Sequence, residues 1–186
     1  MEATELLMSE HRIIESFLLS LEKAANMAEQ KQDIRPAFFS DAADFSKGFT
    51  DGCHHRKEEG YLFKALARHG LSETSGPVAV LLEEHEQGRR LIKGMRAAAQ
   101  SWSNGDPLAR ERVLENAKTY VSLIRQHIQK EDGFLFPLSD QVIPLQEQEQ
   151  LKDEFEQVEA EEVGAGVHEK FLGVAGDLEK EVERSA

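Results

Sequence analysis

Apolar residues recur every three or four positions along most of this chain, and the strict alternation typical of strands is scarce. Spacings of three and four place side chains on one face of an α-helix, so the pattern predicts an all-α fold. Turns containing glycine or proline divide the pattern into four long segments, and Pro137 is expected to end the last of them. The predicted helices cover approximately residues 4–30, 36–68, 77–101 and 108–136.

Short polar connections between these segments favour an up-down-up-down four-helix bundle, which we assign to residues 1–140. Residues 141–186 are acidic and keep a helical pattern, so they are expected to form a helical extension that packs on the bundle. A Gly-Ala-Gly break at 164–166 interrupts this extension. His168, which follows the break, is expected at the surface or in the packing of the extension.

Composition narrows the classes of partner and compartment. The chain has 186 residues and a net charge of −13, which argues against nucleic acid or an anionic membrane as a partner. Its single cysteine, Cys53, allows no intrachain disulfide, and the amino terminus lacks the pattern of a secretory signal. The longest purely apolar stretch, residues 78–82, is far too short to span a bilayer. A cytoplasmic location is therefore expected.

One phrase occurs twice, as HHRKEEGYLF from His54 and as HIQKEDGFLF from His127. One helix earlier in each half, a leucine-rich turn ends in a glutamate–histidine pair, at His11 and at His85. The chain therefore has the pattern of a duplicated helical hairpin.

The repeated positions place chemistry inside the predicted bundle. A spacing of four puts His54 and Glu58 on one helix face, and His127 and Glu131 on another. These faces are expected to point inward, because apolar residues continue them. The apolar residues concerned are Tyr61 and Leu62 in the first copy and Phe134 and Leu135 in the second. Each predicted helix thus directs one histidine at the core, and two helices add a glutamate.

A single inward histidine is usually a hydrogen-bonded core residue, and an isolated H-x-x-x-E pair is often a surface ion pair. Four histidines at matched positions are harder to explain in that way, because burying four imidazoles and two carboxylates without compensation is very costly. A pair of metal ions removes the difficulty, and this donor set suits iron, manganese or zinc. Lys57 and Lys130 are expected to point outward or to lie behind the ligands.

The order H, H-x-x-x-E, H, H-x-x-x-E resembles the hemerythrin-like family, also called the HHE cation-binding domain. The resemblance covers about residues 1–140, and the phrases CHHRKEEGYLF, LLEEHEQGR and HIQKEDGFLFP are typical of its bacterial members. It implies a non-haem centre of two iron ions with an oxo or hydroxo bridge. The implied ligands are His11 and His54 on one iron, His85 and His127 on the other, and Glu58 and Glu131 as bridges.

The chain departs from oxygen-carrying hemerythrins at Arg89, where those proteins have a further histidine. One metal therefore has an open position or a substitute ligand. His55 and Glu15 are the candidate substitutes; their alternative roles are a solvent-facing or supporting histidine and an ion pair with Arg12.

Two further residues are expected near the open position. Tyr120 is a candidate to hydrogen-bond a small bound ligand, although such a tyrosine is more often part of a core. Gly88, one turn after His85, leaves room beside the metal, and its alternative role is close helix packing.

Three functions remain open from the sequence. The first is binding of O2 or a related small oxidant, in sensing, buffering or delivery; the second is an enzyme acting on hydrogen peroxide or nitric oxide. The third is iron sensing or storage. The expected partner is a small diatomic or peroxide ligand, and no dedicated pocket for a larger organic substrate is predicted. Iron follows from the resemblance, whereas the ligands themselves also accept zinc or manganese.

Overall fold

A computed structural model describes residues 3–160 and 166–184, and every secondary-structure element in these ranges is helical. The all-α prediction is therefore confirmed. The helices are α1 (Ala3–Glu29), α2 (36–68), α3 (Gly76–Ser103), α4 (109–142), α5 (Leu145–Gln157) and α6 (Val167–Arg184). The role expected for His168 falls on a side chain outside the described residues.

Helices α2 and α4 change their hydrogen-bond spacing along their length. Within α2, the segments Ser46–His55 and Glu58–Leu62 are π-helical, and within α4 the segment Glu131–Leu135 is π-helical. A π segment bonds residue i to i+5, so each hydrogen-bonded ring encloses one more residue than in an α-helix. Two of these segments begin at Glu58 and Glu131, the carboxylates that the sequence repeat singles out.

The extra residue changes which side chains face inward. Phe134 is 56% exposed, whereas Leu135 and Phe136 are fully buried. In α2 the buried pair is Leu62 and Phe63. The prediction that Phe134 continues the inward face was wrong, because an α-helical count places the inward residues one position too early after a π turn.

Pro137 does not end α4, contrary to the sequence-based expectation. It lies in the first turn of the α-helical segment Phe136–Val142, directly after the π segment. A proline lacks the backbone N–H, and the start of a new hydrogen-bond register is a position where that loss costs little. The helix therefore continues for one and a half more turns beyond the predicted end.

Two apolar clusters flank a polar layer in the middle of the long helices. The first includes Phe17, Phe45, Phe49, Ile92 and Ile124. The second includes Leu7, Leu62, Phe63, Leu81 and Leu135. Along α1 and α3 the chain passes from the second cluster to the first, and along α2 and α4 it passes from the first to the second. Each helix thus carries its repeated histidine at the level between the clusters.

The carboxyl-terminal helices contribute to both clusters. Leu151 and Phe155 of α5 lie in the second cluster, and Leu178 of α6 lies in the first. Phe171 of α6 packs so closely on Gly48 that a Cβ atom there would lie 1.8 Å from the ring. Among the described residues, no helix combines the length and the apolar character that crossing a membrane requires.

Candidate metal centre

The repeated histidines and glutamates meet in two buried groups in the polar layer. In each group, every residue offers one nitrogen or oxygen atom, and these donor atoms all lie within 4.8 Å of one another. The first group consists of His11, His54, Glu58 and Glu131. The second consists of His55, Glu58, His85 and His127. Donor atoms on a common ion at about 2.1 Å lie at most about 4.2 Å apart, so small adjustments would allow each group to hold one ion.

The two glutamates connect the groups. Glu58 places Oε1 3.3 Å from His54 Nε2 and Oε2 3.4 Å from His85 Nε2. Glu131 Oε2 lies 3.2 Å from Nε2 of His11 and 3.2 Å from Nε2 of His127. Each carboxylate therefore faces one histidine of each pair, which is the arrangement that a bridging ligand requires.

A second ring of carboxylates fixes the orientation of the four imidazoles. Each histidine donates its Nδ1 hydrogen to a carboxylate, and so directs Nε2 at the centre of the layer. The four pairs are His11 with Asp132 at 2.7 Å, His54 with Glu10 at 2.9 Å, His85 with Glu59 at 2.7 Å and His127 with Glu84 at 3.0 Å. These acids occupy matched positions of the duplicated sequence, so the repeat extends to the supporting groups.

With Nδ1 protonated, Nε2 presents a lone pair to the carboxylates. Nε2 of His11 and His54 and both oxygens of Glu58 and Glu131 find no hydrogen-bond donor among the described residues. Nε2 of His85 and His127 face each other at 3.0 Å. Acceptors that converge without donors need a cation between them, and this observation fits the residues to bound metal cations.

The electrostatics of the metal-free site show the same demand for positive charge. Burial lowers the pKa of His54, but the Glu58 and Glu10 carboxylates outweigh it and raise the pKa to about 10. Burial also lowers the pKa of His127, but the Glu131 and Glu84 carboxylates outweigh it and raise the pKa to about 10. Without metal, protons would therefore supply the charge that these carboxylates require.

The two copies of the supporting lysine differ. Lys57 is 1% exposed and bridges Glu10, at 2.5 Å, to Glu159 beyond α5. Its counterpart Lys130 pairs with Glu84 but is 45% exposed. Of the two positions expected for Lys57, the structure shows the one behind the ligands, because its partner Glu10 accepts the Nδ1 hydrogen of His54 and Glu159 covers the ammonium group. Its ammonium group also satisfies the acidic group formed by Glu10 and Glu159, which therefore needs no metal.

A model of the hemerythrin HHE cation-binding domain matches residues 2–139 of the chain. The chain belongs to this family. It is also similar to three uncharacterized mycobacterial proteins, Rv1995 and MT2051 from strains of Mycobacterium tuberculosis and Mb2018 from Mycobacterium bovis. Each is 24% identical over 178 residues, which cover 96% of this chain and 69% of the relative. No solved structure matches the chain.

His55 lies in the second group of this hemerythrin-like chain, together with Glu58, His85 and His127. It is buried, and its ring stacks on His85 with ring centroids 3.7 Å apart. Burial lowers its pKa well below the usual value, so its imidazole is neutral and keeps a lone pair. The structure brings it into the second group, as expected of a substitute ligand, and excludes the alternative of a solvent-facing side chain.

Glu15, the other candidate substitute, does not join either group. Its side chain is 41% exposed and pairs with Arg12 at 3.1 Å. The reason is that α1 turns this residue away from the polar layer towards solvent, so the ion-pair alternative describes it correctly.

Arg89, which stands in place of a further histidine, supports the second group from outside. Its guanidinium donates to Glu59 at 2.6 Å, and Glu59 in turn accepts the Nδ1 hydrogen of His85. Asp51, 2.8 Å from Arg89 Nε, completes this arrangement. The arginine therefore leaves the space beside His85 open.

The supporting acids and the π turns are the functional features that the motif alone missed. Glu10 and Glu84 stand beside the repeated histidines, and Glu59 and Asp132 align within the repeated phrase. Comparing the two copies for acids, and not only for ligands, would have revealed all four. Nothing in the sequence pattern marks the π turns apart from the glycine that follows each acidic pair.

Proposed function

We propose that the two donor groups hold two iron ions with an oxo or hydroxo bridge, and that this centre binds O2 or a related small oxidant. The observation that carries the proposal is the sharing of Glu58 between two buried groups whose acceptors lack donors. Family membership supports cation binding, since the matching model describes a cation-binding domain. Bound iron would supply redox and Lewis-acid chemistry towards O2, peroxide or nitric oxide.

The chain itself would prepare the site in three ways. The carboxylates on Nδ1 hold each imidazole in one tautomer and one orientation. The two apolar clusters exclude water above and below the polar layer, which strengthens the electrostatic interactions inside it. On one side, Gly88 leaves access to His55 and His85, because no side chain projects from that position.

The bundle topology is part of the same proposal. We propose that residues 1–140 form an up-down-up-down four-helix bundle and that residues 141–186 pack on it. Supporting this, consecutive helices cross the polar layer in opposite directions, α3 packs against α2 and α4, and α1 packs against α4. Such a bundle brings one histidine from each helix to a common level.

Reversible oxygenation tests the proposal. The protein is reduced without air, exposed to O2 and returned to anaerobic conditions while the near-ultraviolet and visible spectrum is recorded. We expect charge-transfer bands that appear and disappear with O2, that are lost in Glu58→Ala and that persist in Glu15→Gln. Irreversible oxidation on first contact with air would contradict reversible binding.

Turnover of hydrogen peroxide is the alternative function, because the same access to His55 and His85 would admit peroxide and release its products. Oxygen release from peroxide is the assay. Turnover should be lost in His127→Ala and kept in Glu15→Gln. A rate no higher than that of free iron would exclude this alternative.

A further inference from the structure

A lateral cavity of about 370 Å³ lies between α2, α3 and α4, beside the second donor group. Its buried lining residues include His55, His85, Gly88, Ile92 and Tyr120. A water molecule occupies about 30 Å³ in the liquid, so the cavity is far larger than O2 or peroxide requires. Its volume lies instead in the range of sites for small organic molecules. The expectation that the chain has no pocket for such a molecule is therefore corrected.

The cavity presents buried polar atoms that keep hydrogen-bonding capacity. Ser46 Oγ and Thr50 Oγ1 form no hydrogen bond of normal geometry among the described residues, although the Tyr120 hydroxyl lies near both, and each side chain is more than nine-tenths buried. His55 Nδ1, also buried, lies 3.5 Å from Asp51 Oδ1. Leaving a buried hydroxyl without a good hydrogen bond is unfavourable, so these two hydroxyls on one cavity wall favour a molecule with its own donors and acceptors.

The charge around the cavity is opposite to that of the chain. Among the lining residues, Asp51 is the one acid, and it is already paired with Arg89. Arg96 pairs with Asp44 outside the cavity. The exposed residues Lys47 and Lys93 form no ion pair within the described part of the chain. A chain of net charge −13 thus keeps two uncommitted ammonium groups at this entrance.

We propose that the lateral cavity binds a small organic carboxylate. The anionic group would lie at Lys47 and Lys93, the apolar body would pack against Ile92 and the Tyr120 ring, and polar substituents would reach Ser46 and Thr50. Burial raises the pKa of Tyr120 to about 12, so its hydroxyl stays protonated near these groups. This site goes beyond the proposed function, because none of the carboxylate contacts involves a metal ion.

Calorimetric titration of the full chain with benzoate and hexanoate tests the proposal, and benzyl alcohol and hexanol serve as neutral probes of similar size. We expect the carboxylates to bind at least tenfold more tightly than the alcohols. The double variant Lys47→Glu with Lys93→Glu should weaken carboxylate binding about tenfold. Thr50→Val should weaken a hydroxylated benzoate more than benzoate itself.

The control variant combines Lys23→Glu with Lys31→Glu, two exposed lysines that do not line the cavity and that change the net charge equally. Three results would each overturn the proposal: equal binding of alcohols and carboxylates, equal weakening by the control variant, or no heat from any probe at millimolar concentration. Metal content is measured on the same samples. A chain with fewer than two metal ions that still binds carboxylate would contradict the proposed function and leave this inference standing.

Discussion

Lys57 and Lys130 offer a matched test of how burial controls the supporting ion pairs. Both lysines stand three positions after a repeated histidine, and both pair with the glutamate that accepts that histidine's Nδ1 hydrogen. Lys57 is 1% exposed and Lys130 is 45% exposed. Replacing each with methionine removes the same charge from two sites that differ mainly in solvent access.

The structure gives different magnitudes for the two changes. Lys57→Met leaves Glu10 buried without its cation, and removing one partner of a buried pair costs about 3–5 kcal/mol. Lys130→Met breaks a pair that water already screens, which costs about 0–1 kcal/mol. For a chain of this size about 1 kcal/mol shifts the melting temperature by roughly 2–4 °C, so Lys57→Met should lower it by roughly 6–20 °C.

Thermal melts followed by circular dichroism, together with urea unfolding at neutral pH, measure both variants against the parent chain. A difference of at least about 2 kcal/mol between the two variants is expected. Equal shifts would refute the reasoning, because they would mean that burial by Glu159 does not strengthen the pairing of Lys57. Glu159→Gln, which keeps the shape of the cover, is the additional control.

Three further predictions concern the site and its surroundings. Glu58→Gln should lose at least one of the bound metal ions, whereas Glu15→Gln should lose none, as measured by elemental analysis after dialysis. After chelation, the raised pKa values of His54 and His127 stabilise the fold fully below about pH 6.5, and this stabilisation is lost as the pH rises to about 10. Urea midpoints of metal-free protein should therefore fall between pH 6 and pH 10, and an unchanged midpoint would count against the raised values. Gly48→Ala should displace the Phe171 ring, because its Cβ would lie 1.8 Å from a ring atom, and faster proteolysis within α6 is expected from the lost packing.

The duplicated motif was sufficient to predict which residues meet in the interior. Each histidine had a partner at the matched position, and convergence of four helices follows from their length and their short connections. The acids on Nδ1 were present in both copies, so the same comparison contained the information for the supporting ring as well.

The remaining features depend on interactions that a repeat does not encode. The π turns alter the hydrogen-bond spacing of α2 and α4, and this alteration exposes Phe134 although its α-helical position predicts burial. Lys57 and Lys130 are equivalent in the repeat, but only Lys57 is covered by Glu159, which lies far away in the sequence. The lateral cavity likewise depends on side chains from three helices, and no local pattern marks it.

Elemental analysis of protein purified under air tests the central claim most directly. Two buried groups of donors that share Glu58 predict two metal ions per folded chain, with iron as the expected element. The count should fall in Glu58→Ala and stay at two in Glu15→Gln. A folded, metal-free chain, or one that holds a single ion under saturating iron, would contradict the paired centre.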